Sequence, residues 1–196
     1  MSRTGRWLLV NLAAFQIVWW SAVLGAAHGL PWAGPLTALG ACALHVRRIA
    51  PETRSAELTM LAYALCFGLA CDATLMAFGL IRYAPGLGIG PDWLAPAWMA
   101  ALWPTFATTL NHSLGWLRRH PLCAALFGAL AGPLAYGGGV VLGAAGWPRG
   151  ALAGMTAIAA LWAVTLPLLS TLSAVTVIPA EPEPSPEPVR PLAGSL

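Results

Sequence analysis

Long apolar runs divide this chain, and they restrict its fold more than any other feature of the sequence. Hydrophobic residues make up 58% of the 196 positions and charged residues only 9%, whereas an ordinary soluble domain carries about 25% charged residues. An α-helix of about 20 apolar residues satisfies its own backbone hydrogen bonds and crosses a bilayer. The sequence therefore predicts an all-α fold, a polytopic membrane helix bundle.

We predict about six transmembrane helices in one domain, residues 1–178. The first run resembles a secretory signal, but its length and the further runs after it favour a retained helix. The second run is short and begins with prolines, so its sequence is also compatible with a re-entrant segment. The predicted spans are residues 7–27, 31–46, 57–81, 96–117, 121–145 and 150–177.

The distribution of arginine predicts the orientation of these helices. All ten basic residues are arginine, which indicates a GC-rich bacterial gene. Six crossings with both termini in the cytoplasm leave only Arg82 and Arg149 outside, as the positive-inside rule requires. We therefore expect a multi-pass protein of the bacterial inner membrane. Residues 179–196, rich in proline and glutamate, are expected to form a disordered cytoplasmic tail.

Polar residues cluster in the fourth predicted span, where hydrocarbon penalises every unpaired polar group. On a helix, the side chains of Thr105, Thr108, Thr109 and His112 fall within an arc of roughly 100°. Such a stripe is expected to face other helices or water rather than lipid. The predicted polar interior consists of Asn11, Gln16, Thr105, Thr108, Thr109, Asn111 and Tyr136.

Asp72 and His112 are the two candidates for a catalytic role. A carboxylate at mid-membrane costs about 2.5 to 3.5 kcal/mol on insertion scales, so it needs hydrogen bonds or a wet cavity. In straight helices about 12 Å of axial offset separates the two residues, which argues against a direct acid–base pair. The alternatives are an Asp72 bonded to Thr or Tyr of another helix, and a neutral His112 bonded to Asn11 or a carbonyl.

The sequence gives no pattern typical of a metal or nucleic-acid site. Three further histidines, at positions 28, 45 and 120, are dispersed near predicted interfaces, and HxxxH, HxxE and CxxC motifs are absent from the sequence. The arginines occur in pairs between apolar runs instead of forming one patch. We therefore predict no metal site, no cofactor and no nucleic-acid partner.

The chain resembles an uncharacterised family of small bacterial inner-membrane proteins that contain a domain of unknown function. The resemblance implies a polytopic membrane protein whose relatives are encoded near enzymes of fatty acyl modification and oxidative stress, and it assigns no activity to any residue. The matching pieces are Asn11, Phe15 with Gln16, Trp19, Asp72, the segment FATTLNHSLGWL at 106–117 and GPLAY at 132–136.

Three functions follow from these observations. The first is an envelope protein associated with fatty acyl modification or the stress response, with membrane lipids as partners. A second is a small proton- or cation-coupled transporter that uses Asp72, although the two halves of the chain share no clear repeat. The third is a structural or assembly partner of another membrane protein, in which the polar residues only fix the helix register.

Overall fold

The computed structural model describes residues 3–176 of the chain, with side chains described for residues 5–174. These residues form an all-α bundle, and the tail predicted at 179–196 lies outside them. Two-residue strands β1 (Arg82–Tyr83) and β2 (Ala145–Gly146) add one short antiparallel pair. The helices are α1 (Arg3–Ala27), α2 (Ala33–Arg48), α3 (Arg54–Ala77), α4 (Ala97–Ala100), α5 (Leu102–Leu110), α6 (Pro121–Val141) and α7 (Ala151–Thr176).

Four segments of the bundle are long and apolar enough to cross a bilayer. Only 28–39% of the most apolar window of each segment is buried inside the protein. Large apolar side chains, mostly leucine, are exposed along these segments, and an exposed apolar surface of this extent is typical of a membrane-embedded protein. The chain is therefore a membrane helix bundle, with candidate spans Gly5–Ala27, Pro51–Ala77, Pro121–Val141 and Ala151–Ala174.

The other two predicted spans are shorter. Helix α2 has 16 residues and is about 24 Å long at 1.5 Å per residue, which is less than the roughly 30 Å of a hydrocarbon core. Helices α4 and α5 have four and nine residues and are separated at Ala101. Six complete crossings therefore remain a prediction.

The helix predicted for residues 96–117 ends at Leu110 instead. The backbone N–H groups of His112 and Leu114 both donate to the Thr109 carbonyl, which closes a turn. Thr and Asn side chains compete for backbone hydrogen bonds and so favour helix ends. A short 3-10 helix, Gly115–Arg119, follows this turn and leads into α6. His112 consequently lies in a turn rather than on the predicted helical stripe.

Strands β1 and β2 define one end of the bundle, called here the strand end. Arg82 pairs with Gly146 and Tyr83 with Ala145, so the loops that follow α3 and α6 meet there. The last residue of α1, Ala27, lies beside Gly143 in the same region. Helices α1, α3 and α6 therefore run in the same direction.

The opposite end carries Arg48, Arg54 and Arg118 and is called here the basic end. The Arg54 guanidinium donates to the carbonyls of Val46 and Ile49 and so ties the end of α2 to the start of α3. Helix α2 thus runs antiparallel to both α1 and α3.

Small residues permit close contacts between neighbouring helices. A side chain on Gly34 of α2 would lie 2.7 Å from the backbone of Ala22 in α1. On α6, Gly128 and Gly132 both face Trp162 of α7, and α6 packs more extensively on α7 than any other pair of elements. The spacing of four between these glycines suits such an approach.

Candidate functional site

A buried carboxylate near the strand end is held by three donors. The Tyr83 and Tyr136 hydroxyls donate to Asp72 Oδ1 at 2.6 and 2.9 Å, and the Trp103 indole N–H donates to Oδ2 at 2.8 Å. Asp72 has 0% exposure. We call Asp72, Tyr83, Trp103 and Tyr136 the Asp72 cluster. It joins α3, α5, α6 and the strand pair at one point.

The position of Trp103 in this cluster is fixed by its neighbours. Its indole lies over Gly68, where a β-carbon would come within 2.0 Å of the ring. The ring also stacks on Trp162, with ring centroids 5.2 Å apart and an interplanar angle of 12°. A large ring packed in this way holds its N–H in one direction, toward Asp72.

The hydrogen bonds around Asp72 leave it little capacity for other ligands. A carboxylate is an acceptor with two oxygens, and here both receive N–H or O–H donors from rigid rings. A fully paired network of this kind fixes the packing of the elements that contribute to it. The Asp72 carboxylate therefore supports the fold and does not offer free oxygens to a ligand.

A second carboxylate, Glu57, lies at the basic end among imidazole rings. Its Oε2 is hydrogen-bonded to His45 Nε2 at 3.3 Å, and its Oε1 is 3.8 Å from His112 Nε2. Asn111 Nδ2 donates to Oε1 at 2.9 Å, and Arg118 donates in turn to Asn111 Oδ1 at 3.3 Å. We call His45, Glu57 and His112 the His–Glu cluster. Its members come from α2, α3 and the turn after α5.

The His–Glu cluster is incompletely paired. His45 and Glu57 are each 3% exposed and His112 is 22% exposed. The buried nitrogens His45 Nδ1 and His112 Nε2 have no hydrogen-bond partner among the described residues. Buried polar atoms without partners are uncommon in folded proteins and call for an explanation.

Aromatic and basic residues cover this cluster. The Trp7 ring stacks on the His45 ring at 6.4 Å and meets the His112 ring edge-on at 6.0 Å. The Arg48 guanidinium lies over the Trp7 ring, 5.2 Å from its centroid. A cavity of about 270 Å³ adjoins it. The polar and aromatic side chains that line this cavity are Trp7, Arg48, Thr53, Glu57, Asn111, His112 and Arg118.

The protonation of His112 follows from this environment. The residue lies in a turn, outside the four candidate spans. Burial lowers the pKa of its imidazole from the ordinary value of 6.5, the neighbouring His45 acts in the same direction, and Glu57 opposes both. A lowered pKa keeps the ring neutral at neutral pH, with one nitrogen lone pair available.

The remaining polar residues of α5 pair with their own helix or with α1. The hydroxyls of Thr105, Thr108 and Thr109 each donate to a backbone carbonyl three or four residues earlier. Asn11 Nδ2 donates to the Thr108 carbonyl at 3.1 Å, and the Ser113 hydroxyl donates to Asn11 Oδ1 at 2.7 Å. These bonds fasten the first half of α1 to the end of α5.

An apolar cavity of about 390 Å³ lies between α1, α5, α6 and α7. Trp19 of α1, Phe106 of α5 and Trp162 of α7 line it, together with Tyr83 and Tyr136 from the Asp72 cluster. Its volume is within the roughly 300–1,000 Å³ of typical ligand cavities. Exposed residues of two candidate spans also line it, namely Leu12 and Gln16 of α1 with Phe127 and Leu134 of α6.

The structure places the residues of the predicted polar interior in different surroundings. Asp72 and His112 belong to separate clusters. Asn11, Tyr136 and the three threonines are buried, and Asn111 is partly buried. Gln16, which we expected inside, is exposed and lines the apolar cavity, because its position on α1 faces outward between α1 and α6.

Several residues of the two clusters were not identified from the sequence. Glu57 and His45 were assigned to the ends of predicted spans, where a charged or polar residue ordinarily meets water. Trp103 and Tyr83 were part of apolar or loop segments. The one available signal was that Glu57, Asp72 and His112 are polar residues within apolar runs, since such residues need partners.

The helices and the two clusters define the class of this protein: an integral membrane bundle with buried polar centres. The chain belongs to the family described as "Protein of unknown function (DUF2878)", whose profile matches residues 8–168. The resemblance to an uncharacterised family is thereby confirmed. No curated protein and no solved structure matches the chain significantly.

Proposed function

We propose that this protein is a lipid-associated protein of the bacterial inner membrane whose apolar cavity holds the acyl chain of a membrane lipid. The observation that carries the proposal is the cavity itself. Its lining is almost entirely aliphatic and aromatic, with the Tyr83, Trp103 and Tyr136 side chains at its polar part. Ligand sites are commonly apolar cavities with a few polar groups that orient the ligand.

The position of the opening supports a lipid as the ligand. Leu12 and Gln16 of α1 and Phe127 and Leu134 of α6 are exposed and line the cavity. Helices α1 and α6 are both candidate spans, so the gap between them faces hydrocarbon. An acyl chain enters such a gap directly, whereas a solute from water must first cross the headgroup region.

The same geometry gives less support to a cation-coupled transporter. Asp72 accepts hydrogen bonds from three rigid donors and has no exposed surface. A transported cation needs free oxygen ligands and a path to water. Assembly with another membrane protein is the second function that we consider, since the resemblance to the family assigns no activity to the chain.

The proposed location and orientation rest on the arginines. Those at positions 6, 47, 48, 54, 118 and 119 lie toward the basic end of the chain's fold, whereas Arg82 and Arg149 lie near the strand end. The positive-inside rule then favours a cytoplasmic basic end, six crossings and cytoplasmic termini.

Reporter fusions test this orientation. Fusions after residues 30, 50, 90, 120 and 148 should alternate between outside and inside. Two successive fusions on one side would contradict six crossings.

Photolabelling tests the acyl-chain proposal. The protein is reconstituted in nanodiscs that contain a phospholipid with a photoreactive diazirine in its acyl chain, and labelled peptides are mapped by mass spectrometry. We expect strong labelling of cavity residues around Trp98–Trp103 and Tyr136. Labelling that is confined to the outer surface of the helices would contradict the proposal.

Two glycine variants provide a matched comparison for this experiment. A β-carbon on Gly139, which lines the cavity, or on Gly40 of α2, which does not, would meet no atom within 4 Å. The substitution Gly139→Leu should fill the cavity and reduce labelling of its residues several-fold. The substitution Gly40→Leu should leave the labelling unchanged. Equal labelling in both variants would show that the cavity does not hold the lipid.

The association with fatty acyl modification needs a test in cells. Deletion of the gene, followed by profiling of membrane lipids with and without oxidative stress, should change the acyl-chain composition. Complementation with the Gly139→Leu variant should fail, while the Gly40→Leu variant should restore the wild-type profile. An unchanged lipid profile under both conditions would contradict this part of the proposal.

A further inference from the structure

The His–Glu cluster has the composition and the spacing of a metal site. One ligand atom from each of His45, Glu57 and His112 lies within 4.8 Å of the other two. Three separate elements supply these atoms, so the fold rather than a local sequence motif brings them together. This explains why the spacing of histidines in the sequence predicted no metal site.

Two imidazole nitrogens and one carboxylate oxygen are a ligand set that suits zinc and related ions. With bonds of about 2.0 to 2.2 Å, ligands of a tetrahedral zinc ion lie about 3.3 Å from one another. The separation of 3.3 Å between His45 Nε2 and Glu57 Oε2 already meets this requirement. His112 Nε2 is 3.8 Å from the other carboxylate oxygen, so metal binding requires these two groups to move about 0.5 Å closer together.

The unpaired state of His112 is a second, independent observation. Its Nε2 is buried, has no hydrogen-bond partner among the described residues and is directed at Glu57. Burial of a nitrogen without a hydrogen-bond partner lowers the stability of the fold unless a ligand binds to that nitrogen. Asn111 meanwhile donates to Glu57 Oε1 at 2.9 Å, as residues around metal ligands commonly do to orient a carboxylate.

We propose that His45, Glu57 and His112 bind one divalent transition-metal ion, with Zn²⁺ as the expected ion. Three protein ligands leave a fourth coordination position. Glu57 and His112 both line the 270 Å³ cavity at the basic end, beside Arg48 and Arg118, so this position opens toward the cavity. Water or an anionic oxygen ligand is expected to occupy it, since two guanidinium groups favour an anion.

This inference is independent of the proposed lipid function, because the apolar cavity and the His–Glu cluster share no residue. If no metal binds, the acyl-chain proposal is unaffected, and if no lipid binds, the metal proposal is unaffected. Metal binding is measured on the purified full chain in detergent, with an affinity tag that contains no histidine.

Two measurements on the wild-type protein test the site directly. After treatment with a chelator, calorimetric titration with ZnCl₂ should show one ion bound per chain, and elemental analysis should give the same ratio after dialysis. X-ray absorption of the zinc-loaded protein should show nitrogen and oxygen ligands near about 2.0 Å, with the outer-shell signal of imidazole. No binding, or a shell without imidazole, would overturn the proposal.

Variants assign the binding to these residues. The substitutions His45→Gln, Glu57→Gln and His112→Gln should each weaken Zn²⁺ binding by more than the ten- to hundredfold that is typical for loss of an outer-shell group. The matched control is His120→Gln, because His120 lies near the same end and bonds only a local carbonyl. His112→Gln alters a partly exposed turn and should retain the fold. Wild-type affinity in a correctly folded His112→Gln variant would overturn the assignment.

Discussion

The Asp72 cluster and the His–Glu cluster each centre on one buried carboxylate, and they differ in what surrounds it. Asp72 accepts bonds from two phenols and an indole, which are donors held by packing. Glu57 faces two imidazoles, each with a nitrogen that has no partner among the described residues, and His112 also lines a cavity. The first arrangement is complete without a ligand and the second is not. The donors around a buried acid, more than its burial, therefore indicate whether it supports the fold or binds a ligand.

The largest effect is expected from Asp72→Ala. This substitution leaves the Trp103 N–H and two phenol hydroxyls without their acceptor inside the bundle, and charged hydrogen bonds contribute about 1.5–3 kcal/mol each. The free energy of unfolding should fall by about 3 kcal/mol or more. Unfolding by sodium dodecyl sulfate in mixed micelles measures it. The control Asp92→Ala, at an exposed loop position, should change stability little; a similar loss in both variants would contradict a structural role for the Asp72 cluster.

The substitution Gly68→Ala tests the packing that directs Trp103 toward Asp72. The new β-carbon would lie 2.0 Å from the indole, so the ring must move, and overpacking of this kind costs about 1–3 kcal/mol. Near-ultraviolet circular dichroism should also change. Gly40→Ala is the matched control, since its β-carbon meets no atom within 4 Å and alanine favours a helix. Equal stability of the two variants would show that Trp103 is not fixed by Gly68.

A smaller loss is expected when one phenol of the Asp72 cluster is removed. Tyr136→Phe deletes the 2.9 Å bond to Asp72 Oδ1 but leaves the Tyr83 hydroxyl and the Trp103 N–H in place. Stability should fall by about 1.5 kcal/mol, the lower end of the range for a hydrogen bond to a charged group. Tyr63→Phe, at an exposed position of α3, should be neutral. If Tyr136→Phe leaves the free energy of unfolding unchanged, the Asp72 cluster does not stabilise the fold as proposed.

The smallest effect on stability is expected from Glu57→Gln at the basic end. Glutamine can keep the hydrogen bond with Asn111 and remain close to His45, and interhelical polar contacts in membranes average about 0.6 kcal/mol. The loss in unfolding free energy without metal should stay below about 1 kcal/mol. A loss as large as that of Asp72→Ala would remove the distinction between the two clusters.

The sequence predicted the helical class, the family and most helix positions, because apolar runs and helix periodicity are local properties. It also identified Asp72 and His112 as residues that need partners. The partners themselves depend on tertiary structure. Glu57 meets His112 only because the chain turns after Leu110, and a turn stabilised by two N–H groups on the Thr109 carbonyl has no strong signal within an apolar segment.

The axial offset calculated from the helical rise separated Asp72 from His112, in agreement with their places in two clusters. It did not identify the residues that contact them. The Trp103 indole reaches Asp72 because Gly68 makes room for the ring. Likewise, Tyr83 reaches Asp72 from a strand whose partner is more than 60 positions away. Such contacts come from long-range packing, and neither composition nor periodicity encodes them.

Thermal unfolding with and without Zn²⁺ tests most directly whether one cluster binds a ligand while the other supports the fold. A ligand at 100 times its dissociation constant adds about 2.7 kcal/mol to the stability of the state that binds it. We expect Zn²⁺ to raise the melting temperature of the wild type and of Tyr136→Phe by a similar amount and to leave that of Glu57→Gln unchanged. An equal shift in all three proteins, or no shift in the wild type, would contradict it.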